Sequence, residues 1–196
     1  VTGVQTCALP ICLRVNSVDS ATYLRQAWMR TKDSFMLSDG TTYAALRIPE
    51  AGKSFRAKQM TAHSALDEQQ VVSLEQEALR AVRGYARREV GLDECLNALL
   101  EYDRFVTKQR DNMEPLYRRT LIDRPWEVCG CAICKASGIE VMIFRGNNRN
   151  RRRGFHNTHV FYQMFAEIID GRRSGLGNSS AEDPQLGFDL VAVEAT

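Results

Sequence analysis

Three cysteines within six residues constrain this chain more than any other feature. Cys129, Cys131 and Cys134 follow the spacing C-x-C-x2-C, and His156 and His159 come about twenty residues later. Thiolates at this spacing can surround one zinc ion, because the small residues between them let the backbone turn tightly. An iron-sulfur cluster, buried thiols and thiol redox chemistry are the alternatives. We predict a closed, structural zinc site with either histidine as the fourth ligand.

The composition indicates a globular protein in a reducing compartment. The chain has 196 residues, of which 44% are hydrophobic and 26% are charged. Three of its six cysteines crowd together at metal-ligand spacing, which favours metal binding over a disulfide framework. No stretch approaches the roughly 18 consecutive apolar residues that span a membrane. We therefore expect a cytoplasmic protein with no membrane partner.

A run of arginines is the second feature that points to a function. The net charge of +2 is too small to indicate a nucleic-acid partner, but residues 145–153 hold five arginines and no acid. Guanidinium groups match phosphate oxygens in a bidentate geometry. The run predicts a loop that contacts a nucleic-acid backbone, and a solvated basic loop is the alternative. These arginines are Arg145, Arg149, Arg151, Arg152 and Arg153.

Hydrophobic periodicity predicts a mostly helical α+β chain. Alternating apolar residues indicate strands, and apolar residues at three- and four-residue steps indicate helices. The predicted strands are 13–18, 42–48 and 139–144, and the predicted helices are 21–30, 64–90, 92–106, 115–121 and 157–170. We expect a turn at 38–40, a break at 123–126 and a helix end at Gly171. We expect Cys95 to serve in packing.

The first residues need separate treatment. Residues 1–11 resemble the translation of a sequencing-library adapter, and the segment has neither an initial Met nor a basic region typical of a signal peptide. We exclude residues 1–12, with Cys7 and Cys12, from the fold. We therefore expect the chain to be a fragment without its natural upstream part.

Asp19 lies at the end of the first predicted strand, just before the first predicted helix. The residues alone favour a helix N-cap, because an aspartate side chain accepts hydrogen bonds from the first turn. The carboxyl end of a strand is also where (β/α)8 enzymes place catalytic side chains. Both interpretations remain open on this pattern.

Two motifs in this order resemble the tRNA-guanine transglycosylase family. The cysteine cluster followed by His156-Asn157 is similar to the zinc-binding part of these enzymes, and Val18-Asp19-Ser20 followed by Arg25 is similar to their nucleophile segment. The sequence of residues 139–157, which includes the arginine run, resembles the branch of the family that inserts 7-deazaguanine into DNA. The resemblance prefers His156 over His159 as the zinc ligand.

The resemblance implies a fold and a division of the chain. A (β/α)8 barrel needs about 250 residues, so the chain would be its C-terminal fragment, with a zinc subdomain and a helical insertion. The expected parts are the last barrel strand and following strand at 13–50, the insertion at 51–121, the zinc subdomain and final barrel helix at 122–170, and a flexible tail at 171–196.

The resemblance also implies a reaction and its partners. Asp19 would attack the C1′ carbon of the sugar as guanine leaves, and a 7-deazaguanine such as 7-cyano-7-deazaguanine would displace the enzyme with net retention. Arg25 and the arginine run would hold phosphates of DNA or tRNA. Other proteins of a DNA-modification system are expected partners. A non-catalytic zinc module that binds nucleic acid through the arginines is the alternative, and we expect the fragment to be inactive alone.

Overall fold

The computed structural model describes residues 21–29, 32–51, 59, 62, 66–107 and 112–176, without the side chains of residues 29, 107, 147–149 and 168–176. These residues are mostly helical with two small sheets, which agrees with the α+β expectation. None of the helices in these ranges is long and apolar enough to cross a membrane. The elements in chain order are α1 (Thr22–Met29), β1 (Phe35–Met36), β2 (Thr42–Tyr43), β3 (Leu46–Arg47), α2 (Glu68–Ala86), α3 (Leu92–Thr107), α4 (Glu114–Asp123), α5 (Pro125–Val128), α6 (Ala132–Ser137), a 3-10 helix (Gly138–Val141), β4 (Ile143–Phe144) and α7 (Gly146–Leu176).

The helices α2 and α3 pack against each other and contribute much of the core. A capping box begins α2: the Asp67 carboxylate accepts from the Gln70 amide at 2.7 Å, and the Gln70 side chain accepts from the Asp67 amide at 2.9 Å. The apolar positions that set the sequence period, such as Val71, Val82 and Leu99, are fully buried. This confirms that both predicted helices exist, but α2 is shorter than the predicted 64–90: residues 66, 67 and 87–90 are not helical, and residues 64 and 65 lie outside the described ranges.

The predicted break at 123–126 is confirmed. Helix α4 ends at Asp123, and Arg124 adopts a left-handed conformation with φ of 45°. Pro125 then begins α5, where its missing N–H costs no helical hydrogen bond. The chain therefore turns sharply just before the cysteine cluster.

The predicted strand at 42–48 is instead divided into two. Thr42–Tyr43 pairs antiparallel with Phe35–Met36, across the expected turn at 38–40, whereas Leu46–Arg47 pairs parallel with Ile143–Phe144. Between them the Ala45 amide donates to the Ser34 hydroxyl and the Ala44 carbonyl accepts from Thr120. Side-chain partners interrupt the ladder, so one run of apolar residues serves two sheets.

Only the last part of the predicted strand at 139–144 is a strand. Gly138–Val141 forms a 3-10 turn, in which the Met142 amide donates to the Ile139 carbonyl at 2.9 Å. Ile143–Phe144 is then the buried partner of β3. A short fully apolar run does not distinguish a buried turn from a buried strand.

The prediction for the last helix was wrong at both ends. The helix starts at Gly146 rather than Asn157, so the arginine run is helical and not a loop. It passes through Gly154 and Gly171 and reaches Leu176, so residues 171–176 are not a flexible tail. Gly154 is tolerated because α1 packs closely there: an added Cβ would lie 2.8 Å from the Leu24 side chain.

Several predictions concern residues that the structure does not describe. These are the excluded segment 1–12, the predicted strand 13–18, Asp19 and the tail from residue 177 onward. The division of the chain into barrel, insertion and zinc parts stays a prediction.

Candidate metal centre

Four side chains converge on one point between α5, α6 and α7. The Sγ atoms of Cys131 and Cys134 each lie 3.4 Å from Nδ1 of His156, and Sγ of Cys129 lies 3.8 Å from it. All four potential ligand atoms lie within 4.8 Å of one another. The structure therefore brings together the three predicted cysteines and His156, and this group could hold a metal ion. His159 is exposed.

Local backbone geometry explains how the three thiols reach one side of the chain. Cys131 is the N-cap of α6, in an extended conformation with φ of −67° and ψ of 154°. Its sulfur accepts a hydrogen bond from the Cys134 amide at 3.3 Å, which places both thiols beside the same helix start.

The His156 ring is fixed by two contacts with β1. Its face stacks on Phe35, with centroids 4.0 Å apart and ring planes 7° apart. Its Nε2 lies 2.9 Å from the Met36 carbonyl oxygen. A carbonyl oxygen only accepts, so Nε2 carries the proton and Nδ1 turns its lone pair toward the thiols. This is the supporting contact that metal-binding histidines usually have.

The burial of the cluster determines its charge in the absence of metal. Burial lowers the pKa of His156 to about 4, so its imidazole is neutral at pH 7. Burial likewise raises the pKa values of the Cys129 and Cys134 thiols. A cation would reverse this preference at the sulfurs, because it replaces the thiol protons.

The donor set and spacing fit one tetrahedral ion. Zinc bound at ordinary distances to sulfur and nitrogen would separate these two atoms by about 3.6 Å, and the three observed separations lie between 3.4 and 3.8 Å. Ligands this close suit a single ion better than a cluster of several irons. A cavity of about 530 Å³ opens beside Cys129 and His159, giving an ion a path from solvent.

Asn157 continues the same connection toward α1. Its side-chain amide donates to the carbonyl oxygens of Ser34 at 2.9 Å and Tyr23 at 3.3 Å, and its oxygen accepts from the Met36 amide at 3.2 Å. The residue is fully buried. The metal cluster, β1 and α1 are therefore joined through two neighbouring residues of α7. Sequence reasoning recognised the His-Asn pair but had no signal for its main-chain partners, which lie more than a hundred residues away.

Arg153 corrects one predicted phosphate contact. It is fully buried, and its guanidinium donates to the carbonyl oxygens of Ala27, Val141 and Ile143 and to the Asn150 side chain. Burial lowers its pKa to about 9, so it remains charged at neutral pH. All of its donors are directed into the protein, where they link α1, the 3-10 turn and α7. It is not available to a phosphate in this structure.

Arg145 also makes internal contacts. It forms ion pairs with Glu75 and, at 3.7 Å, with Glu50. Glu75 is 4% exposed and also accepts from the Ala51 amide at 2.7 Å. Arg145 thus connects the start of α7 to α2. Glu75 lies seventy residues before Arg145 in the sequence. The absence of acids within the arginine run therefore did not show that its arginines were unpaired.

The other predicted phosphate contacts have different positions. Arg25 on α1 and Arg151 and Arg152 on α7 are exposed. The side chain of Arg149 and the whole of Asp19 lie outside the described residues. Three exposed guanidinium groups on two packed helices therefore remain as a candidate nucleic-acid surface.

Comparison with known proteins gives one informative relative. No family model matches the chain. A protein from Salmonella montevideo described as a DNA-guanine transglycosylase is 38% identical over 164 residues. The matched region covers 83% of this chain and 39% of that protein, so the chain spans about two fifths of the length of its relative.

Proposed function

Because the chain belongs to the transglycosylase family, we propose that it is part of an enzyme that exchanges guanine in DNA for a 7-deazaguanine base. The observation that carries this proposal is the identity shared with a protein named for guanine transfer on DNA. The clustering of Cys129, Cys131, Cys134 and His156 adds independent support, because these four residues are the ligand set that the resemblance implies.

We infer that the metal is zinc. Three thiolates and one imidazole are the donors of a closed structural zinc site, and no fifth protein ligand is needed. When bound, zinc would supply folding free energy and neutralise the thiolates rather than activate water. The chain's own residues do the positioning: His156 binds the Met36 carbonyl, and Asn157 binds the backbone on both sides of the loop between α1 and β1.

The proposed nucleophile is Asp19, three residues before the start of α1 at Thr22. Helix α1 is held to α7 by the bonds of Arg153 to Ala27 and of Asn157 to Tyr23. Precise placement of a reacting group contributes strongly to catalysis, and a rigid neighbouring helix supplies it. The metal-binding residues would therefore affect the reaction indirectly, by fixing the position of α1.

The proposed reaction has two displacements at one carbon. An Asp19 carboxylate oxygen forms a bond to C1′ while the bond from C1′ to guanine breaks, and guanine leaves with that electron pair. The incoming 7-deazaguanine then forms its bond to C1′ as the carboxylate leaves, and the proton that its ring nitrogen loses balances the proton that the departing guanine takes up. Two inversions give net retention. Arg25, Arg151 and Arg152 would hold phosphates while this occurs.

The remaining proposals concern the whole enzyme. We propose that residues 13–50 and 122–170 belong to the end of a (β/α)8 barrel, with residues 51–121 as a helical insertion. The base, such as 7-cyano-7-deazaguanine, and other proteins of a DNA-modification system would be its partners. Glu75 lies in the proposed insertion and Arg145 in the proposed barrel part, so their ion pair supports an insertion that packs against the barrel.

A covalent trapping experiment tests the proposal. The full-length protein containing this chain is mixed with DNA and labelled guanine, and we expect label in the DNA and a covalent protein–DNA adduct. Asp19→Asn removes the attacking oxygen anion with little change in size, so both signals should be lost while DNA binding persists.

Two outcomes would overturn the proposal. An adduct that survives Asp19→Asn excludes Asp19 as nucleophile. DNA binding that depends on zinc and the arginines, with no guanine incorporation by the wild-type protein, would favour the non-catalytic module instead.

A further inference from the structure

Helix α7 carries aromatic side chains on the face that points away from the protein. Arg151, Phe155 and Tyr162 are spaced by four and seven residues, which places them on one side of the helix. Phe155 is 59% exposed and Tyr162 is 69% exposed. Large rings this open are unusual on a helix whose opposite face buries Val160 and stacks Phe161 on Tyr23. We call the residues Arg151, Arg152, Phe155 and Tyr162 the aromatic face.

The aromatic face is electropositive. Residues 146–166 contain no aspartate or glutamate. Among the described residues, Arg151 and Arg152 form no ion pair, in contrast to Arg145, which pairs with two glutamates. The face is therefore complementary to an anion that also offers flat apolar surfaces.

A third ring lies at the edge of the face. Trp28 on α1 is 38% exposed, and its ring would lie 3.2 Å from a Cβ at Gly154, next to Phe155 in sequence. The close packing of α1 on Gly154 brings this ring beside α7. Aromatic surface therefore extends across both helices.

We propose that the aromatic face binds unpaired nucleotides, with Phe155 and Tyr162 stacking on bases and Arg151 and Arg152 contacting phosphates. Aromatic rings interleaved with cations are the usual surface for single strands, because every base has a stacking face. Seven residues of helix separate the two rings by about 10 Å, or about three stacked base steps.

Charge argues against one rival occupant, a second copy of this chain. Two copies that meet through the same face would bring four arginines together with no acid from residues 146–166 to neutralise them. Nucleic acid supplies the missing negative charge. The inference deepens the nucleic-acid part of the proposed function and rests on it, since unpaired bases arise when an enzyme extracts a base from a duplex.

Binding measurements on zinc-loaded 196-residue chain test the inference. Fluorescence anisotropy would follow a labelled single-stranded oligonucleotide and the same sequence as a duplex. We expect Phe155→Ala and Tyr162→Ala each to weaken single-strand binding about tenfold, with much less effect on the duplex. Ile122→Ala is the matched control, since Ile122 is 56% exposed on α4, and it should leave both affinities unchanged.

The outcomes separate this inference from the proposed function. Three results would each overturn it: unchanged single-strand affinity in a variant that combines Phe155→Ala with Tyr162→Ala, an equal loss in Ile122→Ala, or a wild-type oligomer that dissociates in the combined variant. Equal far-ultraviolet circular dichroism of all variants excludes unfolding as the cause. Guanine incorporation by the full-length protein is scored separately, so a face that binds no bases can be distinguished from an enzyme that exchanges none.

Discussion

Replacement of Arg153 by methionine removes the donors that join α1 to α7 while keeping an unbranched side chain of similar length. The Ala27 carbonyl loses bonds of 2.7 and 3.1 Å, and the Val141 carbonyl loses one of 3.0 Å. An unpaired buried carbonyl costs about 1–3 kcal/mol. Replacing the arginine also removes the desolvation penalty of a buried charge, which offsets part of this loss. We therefore expect the free energy of unfolding to fall by about 3 kcal/mol.

Urea unfolding of the zinc-loaded chain measures this change. With a urea dependence of about 2 kcal/mol per molar, the midpoint should fall by about 1.5 M. Arg152→Met is the matched control: the neighbouring arginine is exposed, so its loss should change stability by less than about 0.5 kcal/mol. Trp28 reports on α1 directly, and its emission should shift to longer wavelength when the helix loosens.

A third variant separates charge from geometry. Arg153→Lys keeps the positive charge, but one ammonium group cannot reach both the Ala27 and the Val141 carbonyl groups, so its stability should lie between wild type and Arg153→Met. A stability of Arg153→Met equal to that of Arg152→Met would refute the argument. So would a salt dependence of DNA binding that Arg153→Met lowers as much as Arg152→Met does, because a buried guanidinium contacts no phosphate.

Three further predictions test other parts of the structure. His156→Ala should abolish binding of one zinc per chain, measured by metal analysis after gel filtration, whereas His159→Ala should retain it; equal retention in both would refute the ligand assignment. Gly154→Ala should lower the free energy of unfolding by about 1–3 kcal/mol because its Cβ would lie 2.8 Å from a leucine of α1, whereas Gly91→Ala, with no atom within 4 Å, should not. Burial raises the pKa of Cys95 to about 12 from an ordinary value of 9.0. The stability that its proton supplies is present below pH 9 and is lost as the pH rises toward 12, so between pH 9 and 10 wild type should lose about 1 kcal/mol relative to Cys95→Ala; parallel profiles would contradict this.

The sequence predicts the helices well because their signals are local. The apolar period of α2 and α3 and the break at Pro125 each act within a few residues. The same holds for Cys95, whose place in the apolar period of α3 indicated the burial that the structure confirms. Predictions from local patterns hold in the folded chain because tertiary packing buries the helix face that is already apolar in the sequence.

The short strands were predicted poorly because their limits depend on distant partners. Ala45 leaves the ladder only because Ser34 offers a hydroxyl to its amide at 2.8 Å, and the turn at 138–141 takes residues that have strand-like composition. Neither partner can be identified from an apolar run. A strand of two residues has too little period to be recognised.

The arginine run shows how a correct pattern can give a partly wrong set of contact residues. Charge density identified Arg145, Arg151, Arg152 and Arg153 as one group, but α7 begins at Gly146, after Arg145, and its turn of about 100° per residue distributes the other three around the helix. Arg153 then falls on the buried side with His156, three residues later, and Arg151 and Arg152 fall on the exposed side. The position of the helix start therefore decides which of these arginines are buried and which are exposed. With it, the same nine residues divide into the buried contacts of Arg153 and the exposed Arg151 and Arg152 of the proposed nucleic-acid surface.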